Sequence, residues 1–152
     1  MGDKIAILKN GVLQQMASPM ELYRNPANSF VAGFLGTPAM NFIEASSVGG
    51  RLTIGGVAIN GMPATPCDGA YSLGIRPENI DLSCNGQMDP LHGLVEQIEL
   101  LGDHALVYVN WNGQTICCRT GIPDSLAEGA EIDFTLDLKC AKLFDVASGA
   151  AL

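Results

Sequence analysis

Apolar and polar residues alternate in short runs from residue 42 to residue 145, and this pattern predicts β-strands rather than helices. Gly-Gly pairs at 49–50 and 55–56 and an Asn-Gly pair at 112–113 separate neighbouring runs, as tight hairpin turns do. The predicted strands are 42–47, 51–54, 57–59, 70–75, 80–82, 92–101, 104–110, 114–119, 132–138 and 143–145. Several short strands at this spacing indicate a small antiparallel barrel or sandwich.

Two stretches interrupt the strands and are predicted to be surface loops. Residues 62–68 contain Pro63 and Pro66, and residues 84–90 contain an Asn85–Gly86 pair that favours a turn. Neither stretch carries an alternating apolar pattern that would place it in a sheet.

The longest strand prediction, at 92–101, also bears on catalysis. Strict alternation puts Leu94, Glu96, Ile98 and Leu100 on one face and Val95, Gln97, Glu99 and Leu101 on the other. We therefore expect Glu96 and Glu99 to point to opposite sides, where they cannot act as a pair of carboxylates in acid–base chemistry.

The first 38 residues follow a different pattern, which begins with a hairpin. Residues 4–8 read as a buried strand, Asn10–Gly11 is a strong two-residue turn, and residues 12–16 form the returning strand. A single hairpin is only marginally stable in water. We therefore interpret this segment as the end of something larger than itself.

Two short helices are predicted after the hairpin. Ser18 is placed to cap the first one, with Pro19 at its first position and Glu21 at its third, and Pro26 stops it. Asn28 is placed to cap the second helix, which runs from residue 29 to about residue 35. Its apolar stripe consists of Phe30, Val31, Phe34 and Leu35.

A charged corner lies near the middle of the chain, between the strands at 70–75 and 80–82. Pro77 removes a backbone donor and pushes Arg76 into an extended conformation, so that Arg76 and Glu78 sit on a stiff turn. The corner is either a solvated strand end whose ion pair contributes under about 1 kcal/mol or a rigid surface that presents charge to a partner. The residues alone favour the solvated strand end.

Composition restricts the possible partners. The chain has 152 residues, 47% of them hydrophobic, which is enough to bury a core. Its formal net charge is −8 with only eight Lys and Arg residues. An acidic surface repels phosphate backbones, and we therefore expect no nucleic-acid partner.

Cysteine spacing and the chain start point to a cytoplasmic protein. The five cysteines are odd in number and contain no Cys-x-x-Cys pair, so we expect reduced, mostly buried thiols without a disulfide or zinc site. The cysteines are Cys67, Cys84, Cys117, Cys118 and Cys140. The N-terminus lacks the apolar core of a signal peptide, and no apolar run approaches the roughly 18 residues of a membrane span. We expect a soluble protein.

Candidate chemistry is sparse. His92 and His104 lie in separate predicted strands and have no convergent ligands, so we predict neither a catalytic nor a metal site there. Trp111 stands beside the turn at 112–113, where we expect it to pack over the barrel end and to be partly exposed.

The residues of a nucleotide-hydrolysing site are missing. A phosphate-binding loop ends in Gly-Lys-Ser/Thr, and none of the four lysines follows a glycine. Lys4, Lys9, Lys139 and Lys142 follow Asp3, Leu8, Leu138 and Ala141. We predict that this chain is not an enzyme and binds no cofactor.

Several of these residues resemble a known family. Gly74-Ile75-Arg76-Pro77-Glu78 is similar to a motif of the C-terminal regulatory domain, called TOBE, in ATP-binding subunits of ABC importers for sugars and glycerol phosphate. The family often has His after the Glu, whereas this chain has Asn79, which offers no titrating switch. Residues 3–42 resemble the closing segment of the ATPase domain and its linker, and residues 95–102 and 143–149 resemble later parts of the regulatory domain.

The resemblance implies a fold and a division of the chain. The expected fold is mainly β, an OB-like (TOBE) small antiparallel barrel preceded by a β-hairpin and two short helices. Residues 1–38 are then the C-terminal remnant of the ABC ATPase domain with its linker, and residues 39–152 are the regulatory domain. ATP and magnesium would bind only in the full-length parent.

The resemblance also implies a role in a transport complex at the cytoplasmic face of the cell membrane. The domain would pair with a second copy of itself and couple the ATPase subunits during transport, and it could receive a regulatory protein. Membrane subunits would be contacted through the ATPase domain. The residues expected at the surface or corner of the regulatory and dimer interface are Arg76, Pro77, Glu78, Phe144 and Asp145.

A second hypothesis is a module that binds a small ligand, an oxyanion or a sugar, as relatives of this barrel do. An oxyanion site needs cations and backbone donors around one pocket. Arg76 or Arg119 could supply a local cation, although the acidic balance of the chain disfavours an anion.

Overall fold

The structure is a computed structural model that describes residues 3–62, 65–84 and 88–152. Pro63, the Asn85–Gly86 turn and the first two residues of the chain lie outside these ranges. The described residues of both predicted loops, 62, 65–68, 84 and 88–90, form no strand.

The chain begins with the predicted hairpin, made of β1 (Ile5–Lys9) and β2 (Val12–Ala17). The expectation that β1 is buried is wrong, because only Ile7 is covered while Leu8 is 56% exposed. One face of the two-stranded sheet packs on Leu22 and Val31, and nothing in the described chain covers the other face.

The two short helices follow where the capping residues predict them. The first, α1 (Pro19–Arg24), starts where Ser18 Oγ accepts from the Glu21 N–H at 3.3 Å. The second, α2 (Ser29–Phe34), starts where Asn28 Oδ1 accepts from the Val31 N–H at 2.9 Å. Both caps are confirmed.

The apolar stripe predicted for α2 is only partly right. Val31 and Ala32 are the buried residues of this helix, whereas Phe34 is 65% exposed. Because Ala32 packs against Met40 and Phe144 of the later chain, the covered side of α2 is rotated away from Phe34. We call residues 3–38, with the hairpin and both helices, the leader segment.

Within the described residues, ten strands after the leader segment form two five-stranded antiparallel sheets. One sheet has the order β12-β6-β3-β4-β5 and the other β10-β9-β8-β11-β7. The strands are β3 (Asn41–Val48), β4 (Arg51–Ile54), β5 (Val57–Ile59), β6 (Gly69–Ile75), β7 (Ile80–Asp81), β8 (Leu91–Leu100), β9 (Ala105–Trp111), β10 (Gln114–Thr120), β11 (Glu131–Leu136) and β12 (Lys142–Asp145). A single 3₁₀ turn, Pro77–Asn79, separates β6 from β7. Together the sheets make a nearly closed, barrel-like structure, which confirms the predicted mainly β fold.

The core lies between the two sheets. Phe134, Leu73, Val95 and Val107 are fully buried there. Trp111 belongs to the same cluster at 6% exposure, with its ring against the Phe134 ring at 6.5 Å between centroids. The prediction that Trp111 is partly exposed is wrong, because β9 continues to this residue and alternation carries it inward.

A β-bulge corrects the face assignment of β8. Val95 pairs with Val109 and Gln97 with Tyr108, which leaves Glu96 as one extra residue. The extra residue reverses the alternation, so that Val95 and Ile98 both face the core. Glu96 accepts from Asn110 and Thr115 on the outer surface, and Glu99 accepts from Gln97, also outside.

The cysteines divide between core and surface. Cys118 is fully buried, and burial raises the pKa of its thiol to about 12. Its neighbour Cys117 is buried on the other side of β10, whereas Cys67 and Cys140 are exposed, contrary to the expectation of mostly buried thiols. Neither helix in the described ranges has the length or apolar character that crossing a bilayer demands.

The turn between β4 and β5 supports a stability prediction with a built-in control. A Cβ at Gly55 would lie 2.6 Å from the Trp111 ring and would also meet Asn112, whereas a Cβ at Gly56 would meet nothing within 4 Å. Both glycines have positive φ, so alanine costs about 1 kcal/mol of backbone strain at either position. We expect Gly55→Ala to lose about 2 kcal/mol more than Gly56→Ala in urea denaturation, from overpacking against Trp111. Equal losses would contradict the packing of Trp111 on this turn.

Candidate functional site at the junction of leader and barrel

The charged corner is a buried joint. Arg76, at the end of β6, is 3% exposed, and its backbone is extended with φ −73° and ψ 147°, as a residue before proline should be. Its side chain runs out of the barrel and into the leader segment, where it meets the last turns of α1 and α2.

The Arg76 guanidinium donates hydrogen bonds to three backbone carbonyls. Nη1 donates to Ala32 O at 3.1 Å and to Leu35 O at 2.5 Å, and Nη2 donates to Tyr23 O at 3.0 Å. The last carbonyls of a helix have no partner within it. One cation therefore binds one carbonyl at the end of α1 and two at the end of α2, and it attaches both helices to the barrel.

Tyr23 completes the joint from the helix side. Its ring centroid lies 4.0 Å from Arg76 Cζ, a cation–π distance, and its hydroxyl donates to the Glu78 carboxylate. Burial, and then the hydrogen bond to Glu78, raise the pKa of Tyr23. Burial lowers the pKa of Arg76, but the guanidinium remains charged because arginine does not deprotonate in proteins.

This geometry corrects the expected exposure of the candidate interface residues. Arg76 is buried and satisfied by carbonyls, so the idea of a solvated ion pair at a strand end is wrong. Pro77 and Phe144 are buried as well. Only Glu78 is exposed, and Asp145 is half-buried. The leader segment covers the corner. The sequence near the corner does not predict this burial, because the covering residues lie far away in the chain.

Phe144 and Asp145 form a second tie between barrel and leader. Phe144 packs with Ala32 and Met40, and its ring meets the Phe42 ring edge-on at 5.7 Å. Asp145 Oδ2 accepts from the Ser148 hydroxyl at 2.6 Å, and this bond lowers the pKa of Asp145. After this turn, backbone hydrogen bonds join the last residues of the chain to the segment around α2. The Ser29 N–H donates to Gly149 O, and the Ala151 N–H donates to Ala27 O.

Two glycines make room for these contacts. A Cβ at Gly36 would lie 3.2 Å from Arg76 Nη1 and 3.3 Å from the Tyr23 ring, and the φ of Gly36 is +103°. A Cβ at Gly74 would lie 2.5 Å from Met40 Sδ. The sequence reasoning missed Tyr23 and Gly36 as members of the joint, since their contacts with Arg76 span 40 or more positions and leave no local pattern.

The remaining candidates from the sequence are scattered. His92 pairs with Asp133 and His104 with Asp103, at separate places on the surface. Among residues 3–62, 65–84 and 88–152, no three His, Cys, Asp or Glu side chains are grouped as metal ligands would be.

A separate cavity of about 1050 Å³ lies beside the joint, lined by ends of β5, β7, β10 and β11. Arg119 faces this cavity together with four carboxylates and Lys139. Of the two arginines considered for an oxyanion, Arg76 is thus occupied by carbonyls, and Arg119 stands among negative charges.

Comparison with known proteins places the barrel in a family. The model of the TOBE domain matches residues 73–144, which include Arg76, the corner and Phe144. In the solved structures, the molybdate-bound form of the cytoplasmic molybdate-binding protein ModG superposes with a TM-score of 0.54 over 68% of this chain and 94% of that one. At 14% identity this likeness speaks for the fold alone.

Curated relatives are similar along nearly the whole chain. The trehalose/maltose import ATP-binding protein MalK of Thermococcus litoralis is 33% identical over 166 residues, covering all of this chain and 45% of the relative. The osmoprotective compounds uptake ATP-binding protein GgtA of Synechocystis is 38% identical over 95% of this chain and 43% of its own length. The sn-glycerol-3-phosphate import ATP-binding protein UgpC of Paracoccus denitrificans is 32% identical over 98% of this chain and 42% of its own length.

The chain thus spans less than half the length of these relatives, and it matches their C-terminal part. Residues 73–144 are a TOBE domain, and the chain belongs with the C-terminal regions of the ATP-binding subunits of ABC importers for sugars and glycerol phosphate.

Proposed function

We propose that this chain is the regulatory and dimerisation domain of the ATP-binding subunit of an ABC importer for sugars or related solutes, and that it couples ATPase subunits during transport. The observation that carries the proposal is the Arg76 joint between leader and barrel. A domain that couples two bodies needs a stiff attachment to each of them, and the joint supplies one such attachment.

The joint is stiff because breaking it exposes several groups at once. Moving the leader away from the barrel would strand a buried guanidinium and free three helix-end carbonyls. Each unmade hydrogen bond to a charged group costs about 1.5–3 kcal/mol. A displacement of the leader segment is therefore passed on to the barrel rather than absorbed between them.

The leader segment offers a surface for the rest of a parent subunit. Its exposed apolar side chains include Leu8, Val12, Leu13, Met16 and Met20, each more than half exposed. A cluster of this kind is typical of a surface that another folded body covers. We infer that residues 1–38 close an ATPase domain, which would hold ATP and magnesium, and that residues 39–152 are the regulatory domain. This chain itself would neither bind nor hydrolyse ATP.

Self-association is the second half of the proposal. A two-fold interface uses the same patch on both copies, and pairing of the domains would keep two ATPase subunits at high effective concentration. We place Glu78 and Asp145 at this interface because their side chains reach the surface, with Arg76, Pro77 and Phe144 supporting them from beneath.

Further partners follow from the same assignment. Membrane subunits would be reached through the ATPase domain, at the cytoplasmic face of the membrane, and a regulatory protein could bind the barrel. The net charge of −8 argues against nucleic acid.

A small-ligand module is the alternative function, and the cavity beside the joint is the observation that favours it. A volume of about 1050 Å³ is ample for a small organic molecule. The carboxylates around Arg119 disfavour an oxyanion in this cavity.

The first prediction concerns the joint. We expect Arg76→Met to lower the free energy of unfolding by about 3 kcal/mol, because the carbonyls of both helices lose their donor inside a buried site. The matched control is Arg51→Met, on the exposed face of β4, with an expected change within about 0.5 kcal/mol. Urea denaturation measures both, and limited proteolysis of residues 3–38 reports whether the leader detaches. Similar behaviour of the two variants would remove the basis for a stiff link.

The second prediction uses the protonation of Tyr23, whose pKa lies above its usual value of 10.0 in the folded state. The Tyr23–Glu78 bond then stabilises the fold below that usual value, and this stabilisation is lost as the pH rises toward the folded pKa. We expect wild type to exceed Tyr23→Phe by about 1 kcal/mol at neutral pH, and the difference to shrink above about pH 10. Tyr108→Phe removes a hydroxyl whose pKa is also raised by burial, and its difference from wild type therefore shows how much of the pH dependence arises outside the joint. A difference that is constant with pH would argue against the bond.

The third prediction concerns pairing. We expect the chain to sediment as a dimer at tens of micromolar, an order-of-magnitude range for weak association. Glu78→Lys should weaken the dimer at least about tenfold, since a two-fold axis brings the altered charge in twice. Glu131→Lys makes the same charge change at another exposed position and should leave the dimer unchanged. A wild-type monomer throughout this range would contradict the dimerisation role.

A further inference from the structure

We propose that residues 146–152 form a strap that opens separately from the barrel and from the Arg76 joint, and that its opening frees the start of α2 while the end of this helix stays attached. The strap would thereby set how firmly the barrel holds the leader segment. This inference rests on the coupling role proposed above, and it names an element that regulates the coupling.

On one side the strap extends a sheet of the barrel. Strand β12 ends its five-stranded sheet and pairs there with β6. On the other side of β12, the Asp145 N–H donates to Ala150 O and the Leu152 N–H donates to Leu143 O, both at 2.9 Å. The strap therefore covers a strand edge whose backbone groups would otherwise be left unpaired.

The opposite side of the strap holds the start of α2. The Ser29 N–H donates to Gly149 O at 2.8 Å, and the Ala151 N–H donates to Ala27 O at 3.0 Å. Ser29 is the first residue of α2, and Ala27 lies in the link between the two helices. Because Arg76 binds carbonyls at the other end of α2, this helix is fixed at its start by the strap and at its end by the joint.

The two attachments of α2 differ in the cost of breaking them. Opening the joint would leave a buried cation without its carbonyls, which is expensive. The strap is held by hydrogen bonds between neutral backbone groups. Of its side chains, Ala151 packs against the buried cluster of α2 and β12, whereas Val146 and Leu152 are 59% and 48% exposed. Segments with few buried contacts open at low free energy, so the strap opens before the joint.

A turn at the start of the strap provides the hinge. The Gly149 N–H donates to Asp145 O at 2.8 Å, and the Ser148 hydroxyl donates to the Asp145 carboxylate. These bonds lie within five residues of the chain, and residues 146–148 are exposed. Breaking them leaves the pairing of β12 with β6 intact, so the barrel keeps its fold when the strap opens.

Gly149 makes the closed strap sensitive to substitution. A Cβ at this position would lie 2.9 Å from Ser29 Oγ, and the φ of Gly149 is +74°. A side chain here therefore pushes the strap away from the start of α2. Gly129 offers a matched control, because its φ is +84° and a Cβ there would meet nothing within 4 Å.

Hydrogen exchange of the 152-residue chain, resolved for single amides by NMR, tests the proposal. One opening breaks all four bonds of the strap, so their donor amides should share one protection factor. These donors are the amides of Ser29, Asp145, Ala151 and Leu152. We expect that factor to be at least about tenfold lower than the one at Val107 in the barrel core, which reports unfolding of the whole chain.

Glycine substitutions link the strap to the leader. Gly149→Ala should lower the protection of the strap amides by a further factor of about ten, and with it the protection of the Val31 N–H in α2. Gly129→Ala should leave both unchanged. Adding Ser29→Ala to Gly149→Ala removes the hydroxyl from the close contact and should restore part of the protection.

A second variant covers the case in which Gly149→Ala does not fold. Ser148→Ala removes the hydroxyl that bonds to Asp145 in the turn, and it leaves the backbone of the strap unstrained. It should also lower the protection of the strap amides and of Val31, while the protection at Val107 stays at its wild-type value.

Three results would overturn the proposal. Equal protection of the strap amides and Val107 in the wild type would show that the strap opens only with the whole fold. Loss of protection in the strap without any loss at Val31 would reduce the strap to a frayed end that holds nothing. Equal effects of Gly149→Ala and Gly129→Ala would contradict the contact with Ser29. Sedimentation and the Arg76→Met variant test the proposed function separately, so its failure is distinguishable from failure of the strap.

Discussion

The arrangement of this molecule depends on one buried cation, Arg76, whose hydrogen bonds within the described residues go to backbone carbonyls and not to a carboxylate. Removing a guanidinium from water is expensive, and Arg76 recovers that energy from three helix-end carbonyls, the face of Tyr23 and the nearby charge of Glu78. Its Nε atom is buried and has no hydrogen-bond partner among the described residues. The side chain thus reaches the carbonyls although one of its own donors stays unpaired. The helices must therefore end where they do, and the leader cannot shift without exposing the charge.

The residues around Arg76 make this placement possible. Pro77 keeps the preceding backbone extended, which aims the side chain away from the sheet and toward the helices. Gly36 leaves room beside the guanidinium and the Tyr23 ring, in a backbone conformation that side chains rarely adopt. The second tie, through Phe144 and the turn capped by Asp145, holds the same leader from the other end of the chain. Two contacts at separate points resist rotation as well as translation.

The features that could be predicted from the sequence are those that depend on residues close to one another in the chain. Ser18 with Glu21, Asn28 with Val31 and the glycine pairs act over two to four positions, and the caps, turns and strands they predict are present. The wrong predictions concern features that depend on strand register or on residues far apart in the chain. One extra residue at Glu96 reverses the faces of β8, and the burial of Arg76 depends on carbonyls 41 to 53 positions away. A buried charged corner and an exposed one have the same local sequence pattern, so that pattern does not distinguish them.

Glu78 connects the joint with the cavity, because its carboxylate accepts from Tyr23 while its side chain lines the cavity wall. The bond to the Tyr23 hydroxyl fixes the ring that stacks on Arg76, so one carboxylate supports both the cavity wall and the attachment of the leader. Whatever displaces Glu78 at the cavity therefore also loosens the Tyr23 ring and, with it, the packing around the guanidinium that holds the helix-end carbonyls.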